Sequence, residues 1–152
     1  MIQAIGINHE TNAIIEILYR ILNGLLVNKA IETSAQRLIN ILKTIPLFSG
    51  LSRPLLEKIQ AIVLERPFNK GQLIFQEGDR GDGFYIVSTG KIKVFKLSFE
   101  GKEQILHIYG PGHTFGEVPV FEGKNFPASA MAIEDASILF LPRDKFVNLI
   151  TT

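Results

Sequence analysis

Glu77-Gly-Asp-Arg-Gly81-Asp-Gly-Phe-Tyr85-Ile-Val-Ser-Thr-Gly90-Lys-Ile-Lys-Val-Phe-Lys-Leu97 sets two short apolar segments, 84–87 and 92–97, between glycine turns. Apolar residues repeating at a period near two read as strands, and glycine supplies the positive φ that tight corners need. Outward from this stretch the same grammar continues from about Val63 to Leu141. Further apolar segments lie at 73–75, 105–109, 128–133 and 138–141. Turn residues punctuate them at Asn69-Lys70-Gly71, Glu100-Gly101-Lys102 and Gly110-Pro111-Gly112. Many short strands at this spacing imply a sandwich or closed barrel, and a jelly roll fits best. Its expected interior is Phe75, Tyr85, Val87, Ile105, Ile108 and Leu139. Gly78, Gly81, Gly83 and Gly90 are expected as turn residues with positive φ.

Upstream the period lengthens. Ile14, Leu18, Ile21, Leu22, Leu25 and Leu26 recur at three- and four-residue steps, with Glu16 and Arg20 spaced as an i,i+4 ion pair. Ile15, Ile17 and Tyr19 widen the apolar stripe, so this helix predicts contact with more than one surface. Thr33 followed by Gln36 has the capping-box spacing and predicts a second helix through Leu38, Ile39, Leu42 and Ile45. Pro46 pushes Ile45 out of the helical region, and Gly50 with Ser52 opens a third helix through Leu55, Leu56, Ile59 and Val63. A short helical segment, 143–150, closes the chain. The fold class is therefore mainly β with flanking helices. Residues 1–45 form an N-terminal helical extension and 46–152 a β-roll domain.

With 152 residues, 46% hydrophobic and 20% charged, the chain carries enough apolar surface to offset its conformational entropy, which excludes disorder. A net charge of +1 supplies no field for nucleic acid or anionic lipid. Lys91, Lys93 and Lys96 beside Phe95 and Phe99 read as a solvated strand face. The absence of cysteine removes disulfides, thiolate nucleophiles and thiolate metal sites. His107 and His113 have poor spacing for a closed metal site, so no metal is expected. The stretch 13–27 is too short and too charged to span a membrane, no export signal opens the chain, and the cytoplasm is the expected location. No nucleophile elbow, P-loop or paired catalytic carboxylates are present, so no catalytic residues and no enzyme activity are expected.

The residues that carry chemistry lie in Gly110-Pro-Gly-His-Thr-Phe115-Gly116-Glu117-Val118-Pro119-Val-Phe-Glu-Gly123-Lys-Asn-Phe-Pro127-Ala128-Ser129-Ala. A glycine turn there releases into a short helix at Glu117, whose first N–H groups would converge on an anion while Glu117 accepts from hydroxyls.

The glycine-rich stretch 77–90, followed by Phe115-Gly116-Glu117 and by Ala132-Ile-Glu-Asp-Ala-Ser-Ile-Leu139, resembles the cyclic-nucleotide-binding domain of the catabolite-activator and protein-kinase-regulatory-subunit superfamily. The resemblance covers roughly residues 45–150, and Pro46-Leu-Phe-Ser-Gly-Leu-Ser52 resembles the family's lead-in to its first helix. It implies a double-stranded β-helix jelly roll that binds a small effector and signals through helices. It also implies that Gly116 and Glu117 open a phosphate-binding cassette, with Glu117 on the ribose 2′-hydroxyl. Ten positions after that glutamate the family places an arginine on the cyclic phosphate, followed by a small or hydroxylated residue. Here Pro127 and Ala128 stand there. Proline brings neither charge nor an N–H donor, and Pro119 removes a second backbone donor. The pattern resembles members that sense something other than a cyclic nucleotide.

The expected ligand-binding residues are Phe115, Gly116, Glu117, Val118, Pro127, Ala128 and Ser129, facing a small-molecule effector that is anionic or organic. Genuine cyclic AMP or cyclic GMP binding is the alternative, and a ligand-free interaction scaffold the second. The family's transcription factors follow the roll with a dimer helix and a DNA-reading domain. Few residues follow Ile150, so direct nucleic-acid binding is not expected. The output is expected to be a protein partner or a homodimer formed through the N-terminal helices.

Overall fold

The computed structural model describes residues 9–151, with side chains at 13–26 and 34–151. They fall into two compact units that divide between Leu38 and Ile39. The first is built on α1, His9–Lys43, a single helix of 35 residues. The break expected at Thr33 does not occur. An N-cap needs non-helical backbone, and neither Gly nor Pro interrupts Asn28-Lys-Ala-Ile-Glu-Thr33, so a mediocre helix former costs a few tenths of a kcal/mol at most and the helix runs on. Ile14, Leu18, Ile21, Leu22 and Leu25 are each more than half exposed.

In the second unit Ile39, Leu42 and Ile45 are buried, and Ile45 leaves the helical region ahead of Pro46 as its neighbour requires. A turn of 3₁₀ helix, Pro46–Phe48, leads to α2, Arg53–Ile62, which is capped by the Ser52 hydroxyl accepting from the Leu55 N–H at 3.4 Å.

Eight strands follow: β1 Leu64–Phe68, β2 Leu73–Phe75, β3 Gly83–Thr89, β4 Ile92–Leu97, β5 Glu103–Tyr109, β6 Thr114–Phe115, β7 Ser129–Ala132 and β8 Ala136–Pro142. A one-turn helix, α3 Glu117–Phe121, interrupts them, and α4, Arg143–Thr151, closes the described chain. The strands pair antiparallel in two four-stranded sheets ordered β1-β8-β3-β6 and β2-β7-β4-β5. This is a jelly roll.

Strand β3 is buried along both faces from Gly83 to Val87, so it does not alternate. Tyr85 pairs with Phe115 and Phe140 across the ladder, while Phe84 packs edge-on to Phe146 of α4 at 5.2 Å and against Phe121 of α3 at 5.4 Å. Phe75, Tyr85, Val87 and Leu139 lie inside as expected. Ile105 and Ile108 do not: both are about half exposed, because β5 is the edge strand of its sheet and hydrogen-bonds on one side only, to β4.

Gly78 and Gly90 have the positive φ expected of turns, whereas Gly81 and Gly83 do not. Those two are needed for room. A Cβ on Gly83 would strike the Phe140 ring and the Leu141 carbonyl, and one on Gly81 would come within 2.9 Å of the Lys124 carbonyl. The lysine face is partly engaged: Lys93 is largely covered, pairs with Glu103 and sits 5.0 Å from the Phe95 ring centroid.

Candidate functional site

The site is built where β6 runs out. Phe115 is buried, Gly116 takes φ 79° and ψ 1°, and Glu117 starts α3. The left-handed turn at Gly116 reverses the chain directly over aromatic rings. A Cβ there would lie 3.1 Å from Phe126 and 3.6 Å from Phe75 and Tyr85, so both the φ and the space call for glycine.

Beyond α3 the chain is stitched back to the loop before β3. The Gly78 N–H donates to the Phe126 carbonyl at 2.9 Å and the Phe126 N–H donates to the Asp79 carbonyl at 2.9 Å. Phe126 is thereby held flat on Phe75, with ring centroids 3.8 Å apart and planes 10° apart.

These elements border a half-open cavity of about 180 Å³. Six of the expected residues line it: Phe115, Gly116, Glu117, Val118, Pro127 and Ala128. Ser129 does not. It is buried, and its hydroxyl accepts from the Glu77 N–H at 2.9 Å, which fixes the start of β7. Sequence reasoning missed Phe75, Val94, Tyr109 and Phe126 as site residues, and with Pro119 these complete the wall. In sequence Phe75 reads as a core residue and the other three carry no signal of a site; only the sheet pairing brings them together under α3.

The electrostatics of the wall run opposite to a phosphate site. Among its lining residues the only charged side chain is Glu117; no Lys, Arg or His contributes. The nearby cations are committed elsewhere. Arg143 donates through Nε to the Val120 carbonyl at 2.9 Å, tying down the end of α3, and Lys124 pairs with Glu122 at 3.1 Å on the surface. Pro119, at the third position of α3, removes one of the N–H groups that a helix start leaves free. Burial, reinforced by the Glu117 carboxylate, pushes the Tyr109 hydroxyl above its ordinary range, so it stays protonated. Among the described residues no group of three or more metal-ligating side chains comes together, and no helix is long and apolar enough to cross a membrane.

The chain is 35% identical over 109 residues to the cyclic AMP receptor protein of Thermus thermophilus, covering 72% of this chain and 50% of that one. Among solved structures, the regulatory domain of Toxoplasma gondii PKA with cAMP superposes with a TM-score of 0.72 at 27% identity, covering 78% of this chain and 45% of that one. The sensor domain of the transcriptional regulator DNR from Pseudomonas aeruginosa gives a TM-score of 0.69 at 26% identity, covering 74% and 75%. The chain thus spans about half the length of the curated relative it matches. Residues 65–152, more than half of the chain, match the model of the cyclic nucleotide-binding domain, and together with the jelly roll this places the protein in that family.

Proposed function

We propose that the chain is a non-catalytic regulatory module whose cavity under α3 binds a small effector other than a cyclic nucleotide. One observation carries this reading: Pro127 stands where the cassette needs a cation, and no lining residue replaces it. Losing one partner of a buried charged pair costs about 2–5 kcal/mol, roughly 30- to several-thousand-fold in affinity. The seven residues from Phe115 to Ser129 remain the proposed effector site, with Ser129 acting through the position of β7.

The output of the module is proposed to be a homodimer through α1, with a further protein partner as receiver. Ile14, Ile17, Leu18, Ile21, Leu22 and Leu25 are each more than half exposed, an apolar face that a second copy would cover.

The test is thermal melting with ligand. Cyclic AMP and cyclic GMP at millimolar concentration should leave the melting temperature unchanged, whereas Pro127→Arg with Ala128→Ser should create a response. Genuine binding at ~100 times Kd would add about 2.7 kcal/mol and raise melting by ~5–11 °C. A shift of that size in the unaltered chain overturns the reading.

A further inference from the structure

We infer that the cavity under α3 takes a small alkylammonium cation, held by the Glu117 carboxylate within a wall of aromatic rings. This rests on the reading of the chain as an effector-binding module and names the chemical class of the effector.

Charge gives the first reason. Glu117 is the one ionic group on the cavity wall, it is half-buried, and its carboxylate makes no hydrogen bond or ion pair within the described chain. An anionic ligand would meet repulsion from this carboxylate, whereas a cation would gain a charge-assisted contact with it.

The rings give the second. Tyr109 and Phe115 lie nearly parallel, with centroids 5.9 Å apart and planes at 21°, and Phe75 joins Phe115 at 6.1 Å to the stacked Phe75–Phe126 pair. Ring faces carry negative quadrupole charge and attract a cation within about 6 Å of the centroid. Phe75, Tyr109, Phe115 and Phe126 line the cavity beside Glu117 and no basic side chain joins them, so the wall offers a cation one carboxylate and polarisable aromatic surface without a repelling charge. Val94 and Val118 supply apolar surface that suits the methyl groups of a substituted ammonium better than a strongly hydrated ion.

Size gives the third. An apolar cavity of ~150 Å³ holds benzene, so about 180 Å³ admits a ligand of that order. Tetramethylammonium and choline are of this size.

The experiment is calorimetric titration of the full chain with choline and with its uncharged isostere 3,3-dimethylbutan-1-ol, beside cyclic AMP. Choline should bind at least about tenfold more tightly than the isostere, and Glu117→Gln should remove most of that preference while leaving ligand-free melting unchanged. Tyr109→Leu, which keeps apolar bulk and deletes a ring, should weaken choline and spare the isostere. Equal affinity for choline and the isostere, full choline affinity in Glu117→Gln, or no choline heat at tens of millimolar overturns the cation assignment. The last result with cyclic AMP also silent leaves the effector-module reading standing. Tight cyclic AMP binding sinks that reading and this one with it.

Discussion

Strand β3 and helix α1 carry apolar runs of similar density with opposite burial. Phe84, Ile86 and Val87 are fully buried, whereas Ile14, Leu18, Ile21 and Leu22 each keep more than half of their surface. The same residue types serve different ends. In β3 each side chain meets partners from several elements: Phe84 touches Phe121 and Phe146, and Tyr85 lies against Phe75, Phe115 and Phe140. In α1 the apolar side chains wrap too much of the helix for one seam, the pattern of a helix that needs neighbours on more than one side. Apolar density therefore states that burial is required, and the geometry states whether one chain supplies it.

The sharpest way to break this comparison is to truncate one residue from each region. Phe84→Ala should cost about 3–5 kcal/mol, because the two aromatic neighbours Phe121 and Phe146 cannot collapse into the void, lowering the melting temperature by ~6–20 °C. Leu22→Ala should cost under about 1 kcal/mol at dilutions where the chain is monomeric. Urea unfolding checks both. Equal costs at low concentration would mean that Leu22 is as buried in solution as Phe84, and the contrast between the regions would fail.

A second test moves from stability to mass. Ile14, Leu18, Ile21 and Leu25 follow a 4-3-4 spacing, the seam of a self-associating helix, with Ile15 and Leu22 beside it. Light scattering of the intact chain should give at least two copies per particle. With leucine at a and isoleucine at d this order favours more than two strands, so the measured mass decides between the proposed homodimer and a larger assembly. Leu18→Asp with Leu25→Asp should return the monomer while β-sheet circular dichroism is unchanged. An intact chain that stays monomeric at every concentration disposes of assembly through α1.

The roll was legible in sequence because its punctuation is chemical. Gly78 and Gly90 mark corners that need positive φ, and the segments between them emerged as β2, β3, β4 and β8 within a residue or two at each end. Gly116 and Glu117 stood out for the same reason, since a left-handed turn into a short helix requires that order of residues. What could not be read was anything fixed by pairing between distant strands. Ile105 and Ile108 look like core but lie on an edge, and Phe75 looks like core but walls the cavity together with Phe126, 51 positions further along the chain. Thr33 carried a capping signal that chain continuity overrode, since local caps decide a helix end only where nothing favours continuing it.

The smallest effect separates the two regions by titration. Burial pushes the Tyr85 hydroxyl above its ordinary value of 10.0; Arg66 opposes the shift and Asp79 and Asp82 add to it. The folded roll thus favours the neutral phenol, while the unfolded chain ionises at about 10. Below that pH both states hold the proton and this stabilisation is fully present. Above it the unfolded state binds fewer protons than the folded one, so stability falls as pH rises toward the folded pKa. Urea midpoints measured from pH 8 to 11 should decline at the alkaline end, and Tyr85→Phe should make that decline shallower, because the substitution removes the titrating group and leaves the ring beside Phe115 and Phe140. Because Tyr85 belongs to the roll, the particle mass set by α1 should hold over the same range until the roll unfolds. An identical alkaline slope in Tyr85→Phe would assign the loss to other groups and show that the Tyr85 hydroxyl is in water after all.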